Sequence, residues 1–376
     1  MHHRREAHLL LMTPPGLKSV AGSPSLTGGL LKTRDIIVIG ASAGGVEALQ
    51  RLVSGLPADL PAAVFVTVHF PPSGTSVLPR ILSRVAHLTV LPASDGERII
   101  HGRVYVAPPD HHLLLSPRGV RIVHGPKEHG HRPAIDAMFR SAAIAFGPRV
   151  IGVILTGNLD DGTSGLRAIK RAGGAAVVQD PGDANFPSMP QSAIENVEID
   201  RVVPIKAMAT TILGLIGEPI SEFEHFPMTE DVSENNFANA SEDAIDDADH
   251  HPGEPSTYGC PDCGGVLWRI KDGQLTHFRC RIGHAWSEAA LLDRQTNVVD
   301  DALWTALRAL EESASLSKQI ANRYRARGAD GLAERFDAQA RQIDSRARVI
   351  LDSLTQRQEA RASADDDSSE PKQRAS

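Results

Sequence analysis

The chain is poor in cysteine, in positive charge and in long apolar runs. Only three cysteines occur in 376 residues, and all fall between 260 and 280. The first 259 residues therefore contain neither a disulfide nor a cysteine nucleophile. No apolar run approaches the roughly 20 residues of a membrane-spanning helix, so membrane insertion is not expected. The N-terminus sets basic residues before Leu9-Leu10-Leu11-Met12, but this patch is too short for a signal peptide and Pro14-Pro15 cuts it off. Residues 1–33 are read as a disordered extension and the protein as cytoplasmic. Basic residues give no nucleic-acid footprint, since the net charge is −7. Glu218 to Glu254 holds twelve Asp or Glu and no Lys or Arg, so the acidity belongs to a solvated linker, set at residues 218–257.

What is present is organised around Arg34 to Gln50. Ile36 to Ile39 form a short β-branched run, as a strand buried on both faces requires. Gly40-Ala41-Ser42-Ala43-Gly44-Gly45 follows, and Val46, Leu49 and Leu52 recur at helical spacing. Ser42 thus sits in Gly-x-Ser-x-Gly at a strand-to-helix turn, where a serine oxygen stands clear beside helix N–H groups. Two readings stay open on this segment alone: a helix-capping serine, or a nucleophile that needs a histidine and a carboxylate from elsewhere. A dinucleotide fingerprint fits poorly, because Ser42 stands where that motif needs glycine.

Further strands are expected at Ala62–Val68, Leu88–Leu91, Gly102–Pro109, Val150–Leu155, Ala175–Gln179 and Arg201–Pro204, with a hairpin over Leu113–Val123. Helical spacing separates most of them. Alternation of this kind predicts an α/β fold, a doubly wound, mostly parallel sheet with ligands bound beyond the strands' carboxyl ends. Ser42, His69 and Asp161 each follow such an end. Together they would form a triad: Ser42 the nucleophile, His69 the base, Asp161 the orienting carboxylate. Singly, His69 could cap a strand and Asp160 or Asp161 could serve a turn before Gly162.

The segments GASAGGVEAL, VTVHFPPSG, APPDHHLLL, HRPAIDAMFRSAA and GVILTGNLDDGTSGL, with Met189-Pro190, come in that order. In that order they resemble the catalytic domain of chemotaxis protein-glutamate methylesterases of the CheB type. The likeness covers roughly residues 34–205 and is assigned to a domain at 34–217. It implies a Rossmann-like serine hydrolase without a catalytic cofactor, cleaving γ-glutamyl methyl esters on chemoreceptor helices, releasing methanol, and deamidating some glutamines. By motif, Ser42 matches the nucleophile, His69 the base, and Asp161 rather than Asp160 the triad aspartate. The implied oxyanion donor is a backbone N–H near Asn158. Ala43 and Asn158 stand where the family often has threonine and methionine, which leaves an esterase or amidase with another acyl substrate as an alternative. A non-catalytic scaffold is the other. The family's receiver domain has no counterpart here, which implies control by a partner regulator, control by the C-terminal module, or constitutive activity. Asp110, His111, His112, His131, Arg132 and Asp136 are further polar candidates. His131-Arg132-Pro133 matches a family motif, with substrate binding and helix entry both open; His111-His112 alone make no metal site.

The second module opens with Cys260-x2-Cys263 and Cys280-x3-His284, zinc-ribbon spacing that predicts a structural zinc at residues 258–286. His277 rivals His284 as the fourth ligand. Apolar residues at steps of three and four then predict a helical hairpin over 287–361, with a coiled-coil dimer surface as the alternative, followed by a disordered tail at 362–376. Whether the hairpin packs on the ribbon or recognises a partner stays open.

Overall fold

A computed structural model of the chain describes residues 33–70, 76–220 and 253–369, with side chains to residue 360. The N-terminal extension and most of the acidic linker lie outside these residues.

The first module runs β1 (Ile36–Ala41), α1 (Gly45–Ser54), β2 (Ala63–Val68), α2 (Leu78–Leu82), β3 (Thr89–Pro92), β4 (Arg103–Val106), β5 (His112–Ser116), β6 (Gly119–Val123), α3 (Ile135–Phe146), β7 (Val150–Ile154), α4 (Thr163–Arg171), β8 (Ala175–Gln179), α5 (Ser188–Asn196), β9 (Arg201–Val203) and α6 (Ile205–Gly217). Seven strands form one parallel sheet in the order β3-β4-β2-β1-β7-β8-β9. β5 and β6 make the expected hairpin.

The unbroken apolar run of β1 follows from its central place. Alternate side chains point to opposite faces of a strand. Ile37 and Ile39 join a core with Leu49, Leu52, Met208 and Ile212 of α1 and α6. Ile36 and Val38 join the opposite core with Met138, Phe139 and Leu166 of α3 and α4. All four β1 isoleucine and valine side chains are buried, each such burial stabilising by about 1.5–3 kcal/mol. The winding reverses at β1: the chain moves first toward β2 and later returns to β7. Ligands in open α/β sheets bind at such a switch point.

The second module is a four-stranded antiparallel sheet, β10 (Glu254–Gly259), β11 (Val266–Asp272), β12 (Leu275–Cys280) and β13 (Ala285–Ser287). It begins earlier than the expected ribbon, because Glu254 and Pro255 pair with Arg269 and Trp268. Two long helices follow, α7 (Glu288–Arg325) and α8 (Asp330–Ser369). Leu303, Leu307 and Leu310 of α7 pack against Ala347, Ile350 and Leu354 of α8, an antiparallel hairpin. Helix α8 enters the stretch expected as a tail, since the first residue unable to continue a helix is Pro371. Among the described residues no helix is long and apolar enough to cross a membrane.

Candidate active site

β2, β1 and β7 lie side by side, with Ala41 paired to Val68 and Gly40 to Ile154. Ser42 and His69 therefore emerge level with each other, one residue past their strand ends. Gly44 adopts φ +70° where the chain turns into α1, a conformation that glycine adopts without strain. Across β7, the loop from Thr156 to Gly162 returns under Ser42. A Cβ on Gly157 would stand 2.8 Å from that of Ser42 and equally close to the sulfur of Met189, so only glycine fits.

Ser42 Oγ lies 3.1 Å from His69 Nδ1, and His69 Nε2 lies 2.7 Å from Asp161 Oδ2. Asp161 is buried and accepts further hydrogen bonds from the backbone N–H groups of Ile135 (2.8 Å) and Asp136 (3.0 Å) at the start of α3. Burial alone would raise its pKa. The hydrogen bond from His69, the charge of His129 and the Ile135 amide hold it well below the usual carboxylate range. An ionised Asp161 accepts the Nε2 proton, which leaves Nδ1 as the basic nitrogen facing Ser42.

The backbone amides near Ser42 differ in their partners. The amide of Thr156 donates to Gln179 Oε1, that of Gly157 to the Phe186 carbonyl, and that of Leu159 to Ser188 Oγ. Among the described residues, no acceptor takes the amide of Ala43 or of Asn158. Ala43 directly follows Ser42, and Asn158 directly follows Gly157, whose Cβ position lies 2.8 Å from that of Ser42.

The profile of the family described as CheB methylesterase matches residues 37–212. Residues 37–212 belong to the CheB methylesterase family. A protein-glutamate methylesterase/protein-glutamine glutaminase of Geobacter metallireducens is 39% identical over 189 residues, 49% of this chain and 53% of that one. One from Pseudomonas aeruginosa is 40% identical over 194 residues, 50% of this chain and 55% of that one. The chain thus spans about half the length of the curated relatives it matches. The crystal structure of the Thermotoga maritima CheB methylesterase catalytic domain aligns at 34% identity over 49% of this chain and all of that one, with a TM-score of 0.48.

The other residues singled out in the sequence divide. In the CheB domain, His131 stacks on His69, ring centroids 3.8 Å apart, and burial together with the His69 charge pushes its pKa down to about 3. It is therefore a neutral ring stacked against His69. Arg132 binds Asp110 (3.0 Å from Nε) and the Gly125 carbonyl (2.7 Å), tying two loops together at the entry to α3. His112 is buried between the Pro126 carbonyl and the Ala134 amide, and His111 bonds the Pro109 carbonyl. Asp160 turns away from His69 and accepts a hydrogen bond from Ser287 Oγ at 2.7 Å.

That last contact crosses between modules. Among the described residues, the ribbon's last strand, β13, lies on the loop Lys127–Gly130 of the CheB domain. The Ala285 amide donates to the Lys127 carbonyl (3.1 Å), and the His129 amide to the Ala285 carbonyl (2.7 Å). Arg279 of β12 reaches buried Glu128 at 3.5 Å, beside Arg140 of α3, which donates to both Glu128 oxygens at 2.6 and 2.7 Å. His129 Nε2 lies 3.0 Å from Asp136 and 3.9 Å from Asp161. Burial lowers the His129 pKa, while Asp136, Asp161 and Asp160 raise it more strongly. The Ser287 amide points at its Nδ1 from 3.2 Å and opposes a second proton there. Sequence reasoning missed Glu128, His129 and Arg140, whose partners lie in another module or on another element.

A cleft of about 560 Å³ lies along this junction, lined by Leu159, Asp160, Ser188, Gln191, His277 and Ser287. It adjoins the Asn158–Asp161 loop, while Ser42 and His69 do not line it. Of the two histidine candidates for metal, His284 lies with Cys260, Cys263 and Cys280, and His277 faces this cleft.

Proposed function

We propose that the chain is a protein-glutamate methylesterase that hydrolyses γ-glutamyl methyl esters on helices of chemoreceptor-type signalling proteins, in the cytoplasm. The observation that carries this is the hydrogen-bonded series Ser42–His69–Asp161 at the switch point of a CheB methylesterase domain.

His69 Nδ1 takes the Ser42 proton as Oγ attacks the ester carbonyl carbon. Asp161 keeps the other ring proton on Nε2 and stabilises the imidazolium. The amides of Ala43 and Asn158 receive the developing oxyanion; a donor of this kind is worth about 3 kcal/mol at the transition state. Both are backbone groups, so the departures at residues 43 and 158 leave the donors in place. Collapse expels methoxide, which takes the proton from His69 and leaves as methanol. Water then attacks the acyl-serine with the same base, regenerating Ser42 and a glutamate carboxylate.

The relatives' names also include a glutaminase activity. The same steps deamidate a glutamine side chain when His69 protonates a departing ammonia, so we assign this as a second activity of the site. Methanol release from methylated receptor helices, lost in Ser42→Ala, tests the reading. A folded wild-type chain that releases none contradicts it.

A further inference from the structure

We propose that Cys260, Cys263, Cys280 and His284 hold a zinc(II) ion, and that this ion fixes the β13 edge that clamps the loop carrying Asn158 and Asp161.

The four donor atoms lie within 4.8 Å of one another. Cys263 Sγ and Cys280 Sγ are 3.6 Å apart, and His284 Nδ1 is 3.7 Å from Cys260 Sγ and 3.5 Å from Cys280 Sγ. Zinc bonds of about 2.3 Å to sulfur and about 2.0–2.1 Å to nitrogen, at tetrahedral angles, require roughly 3.8 Å between sulfurs and roughly 3.6 Å from sulfur to nitrogen. The spacing thus fits a tetrahedral ion and is too long for a disulfide. Four protein ligands leave no open position, so the ion is structural rather than catalytic. Binding displaces three thiol protons to solvent and changes no oxidation state.

The ligand His284 directly precedes the clamp. Ala285 bonds Lys127 and His129 on either side of Glu128, and Ser287 bonds His129 and Asp160. Leu159, between Asn158 and Asp160, packs into the ribbon's own apolar cluster with Leu267, Phe278 and Trp286. The Asn158–Asp161 loop, which bears an oxyanion amide and the triad carboxylate, is therefore held from outside by the ribbon. A ribbon of this size does not keep its fold without its metal. The metal consequently acts on the chemistry through position, and Ser287 is a positioning residue.

The clamp's effect on rate rests on the esterase reading; the metal site and the docking do not. The full chain is predicted to carry one zinc, with Cys260→Ser and Cys280→Ser losing it and cobalt(II) giving the spectrum of a tetrahedral thiolate centre. Chelation is predicted to speed amide hydrogen exchange at His129 and Ala285. In an esterase assay, chelation lowers kcat by on the order of tenfold to a hundredfold with little change in KM, reversed by added zinc. Ser287→Ala lowers kcat while keeping its zinc. A chain without zinc, or one whose zinc content ignores the cysteine variants, overturns the site. Unchanged exchange at His129 and Ala285 on chelation, with zinc removed, overturns the clamp even if no substrate is turned over.

Discussion

Replacing Glu128 by glutamine probes the junction between the modules at its most buried charge. Glu128, Arg140 and Arg279 are 1%, 2% and 3% exposed. The substitution preserves shape but removes the carboxylate charge that both guanidiniums share. Removing one partner of a buried ion cluster costs about 3–5 kcal/mol. A second route gives a similar size. Burial would push the Glu128 carboxyl up, yet Arg140 and Arg279 hold it down to about 2 from an ordinary 4.5, a difference worth about 3 kcal/mol at 1.36 kcal/mol per pKa unit. Because the folded pKa is depressed, this stability is present above about pH 4.5 and is lost as pH falls toward about 2. Urea unfolding of wild type and Glu128→Gln, followed across that range, checks both. The gap between the proteins should be about 3–5 kcal/mol at neutral pH and close as the wild-type carboxyl protonates. A gap below about 1 kcal/mol, or one that does not change with pH, would refute the reasoning.

Other outcomes follow from the same geometry. Asp161→Asn should lower kcat by about four orders of magnitude with the fold intact, because the ring loses the partner that fixes its proton on Nε2; steady-state kinetics with circular dichroism checks this. Gly157→Ala should lower kcat by about a hundredfold, since a Cβ there drives against Ser42 Cβ at 2.8 Å; a variant with unchanged kcat would mean the turn yields freely.

The parallel sheet was legible because β1, β2 and β7 are apolar save for Thr67 in β2, as strands covered on both faces require. The meeting of Ser42, His69 and Asp161 was legible because each directly follows a strand end or opens a glycine turn. Helix α6 was not expected, although its buried Ile205, Met208, Ala209, Ile212, Leu215 and Ile216 recur at helical spacing; the signal is present in the sequence. The pairing of Asp161 with His69, and of Asp160 with Ser287, fits the motif-based choice between the two aspartates. Arg132, one of two open readings in the sequence, ties loops rather than facing Ser42. The docking of the ribbon left no trace in local pattern. Its contacts join Glu128 to Arg279 and Asp160 to Ser287, more than a hundred residues apart, and a buried ion pair looks in sequence like any surface charge. The direction of the His69 ring, Nδ1 to serine and Nε2 to aspartate, depends on backbone geometry at a strand end that composition does not encode.

The central claim is that Ser42 is an esterase nucleophile acting on methylated receptor glutamates. Methanol release from methylated chemoreceptor helices, measured for wild type and Ser42→Ala, tests it most directly. The account predicts release by wild type and none above background for the variant. Equal release by both proteins, or none from a folded wild type, would contradict it.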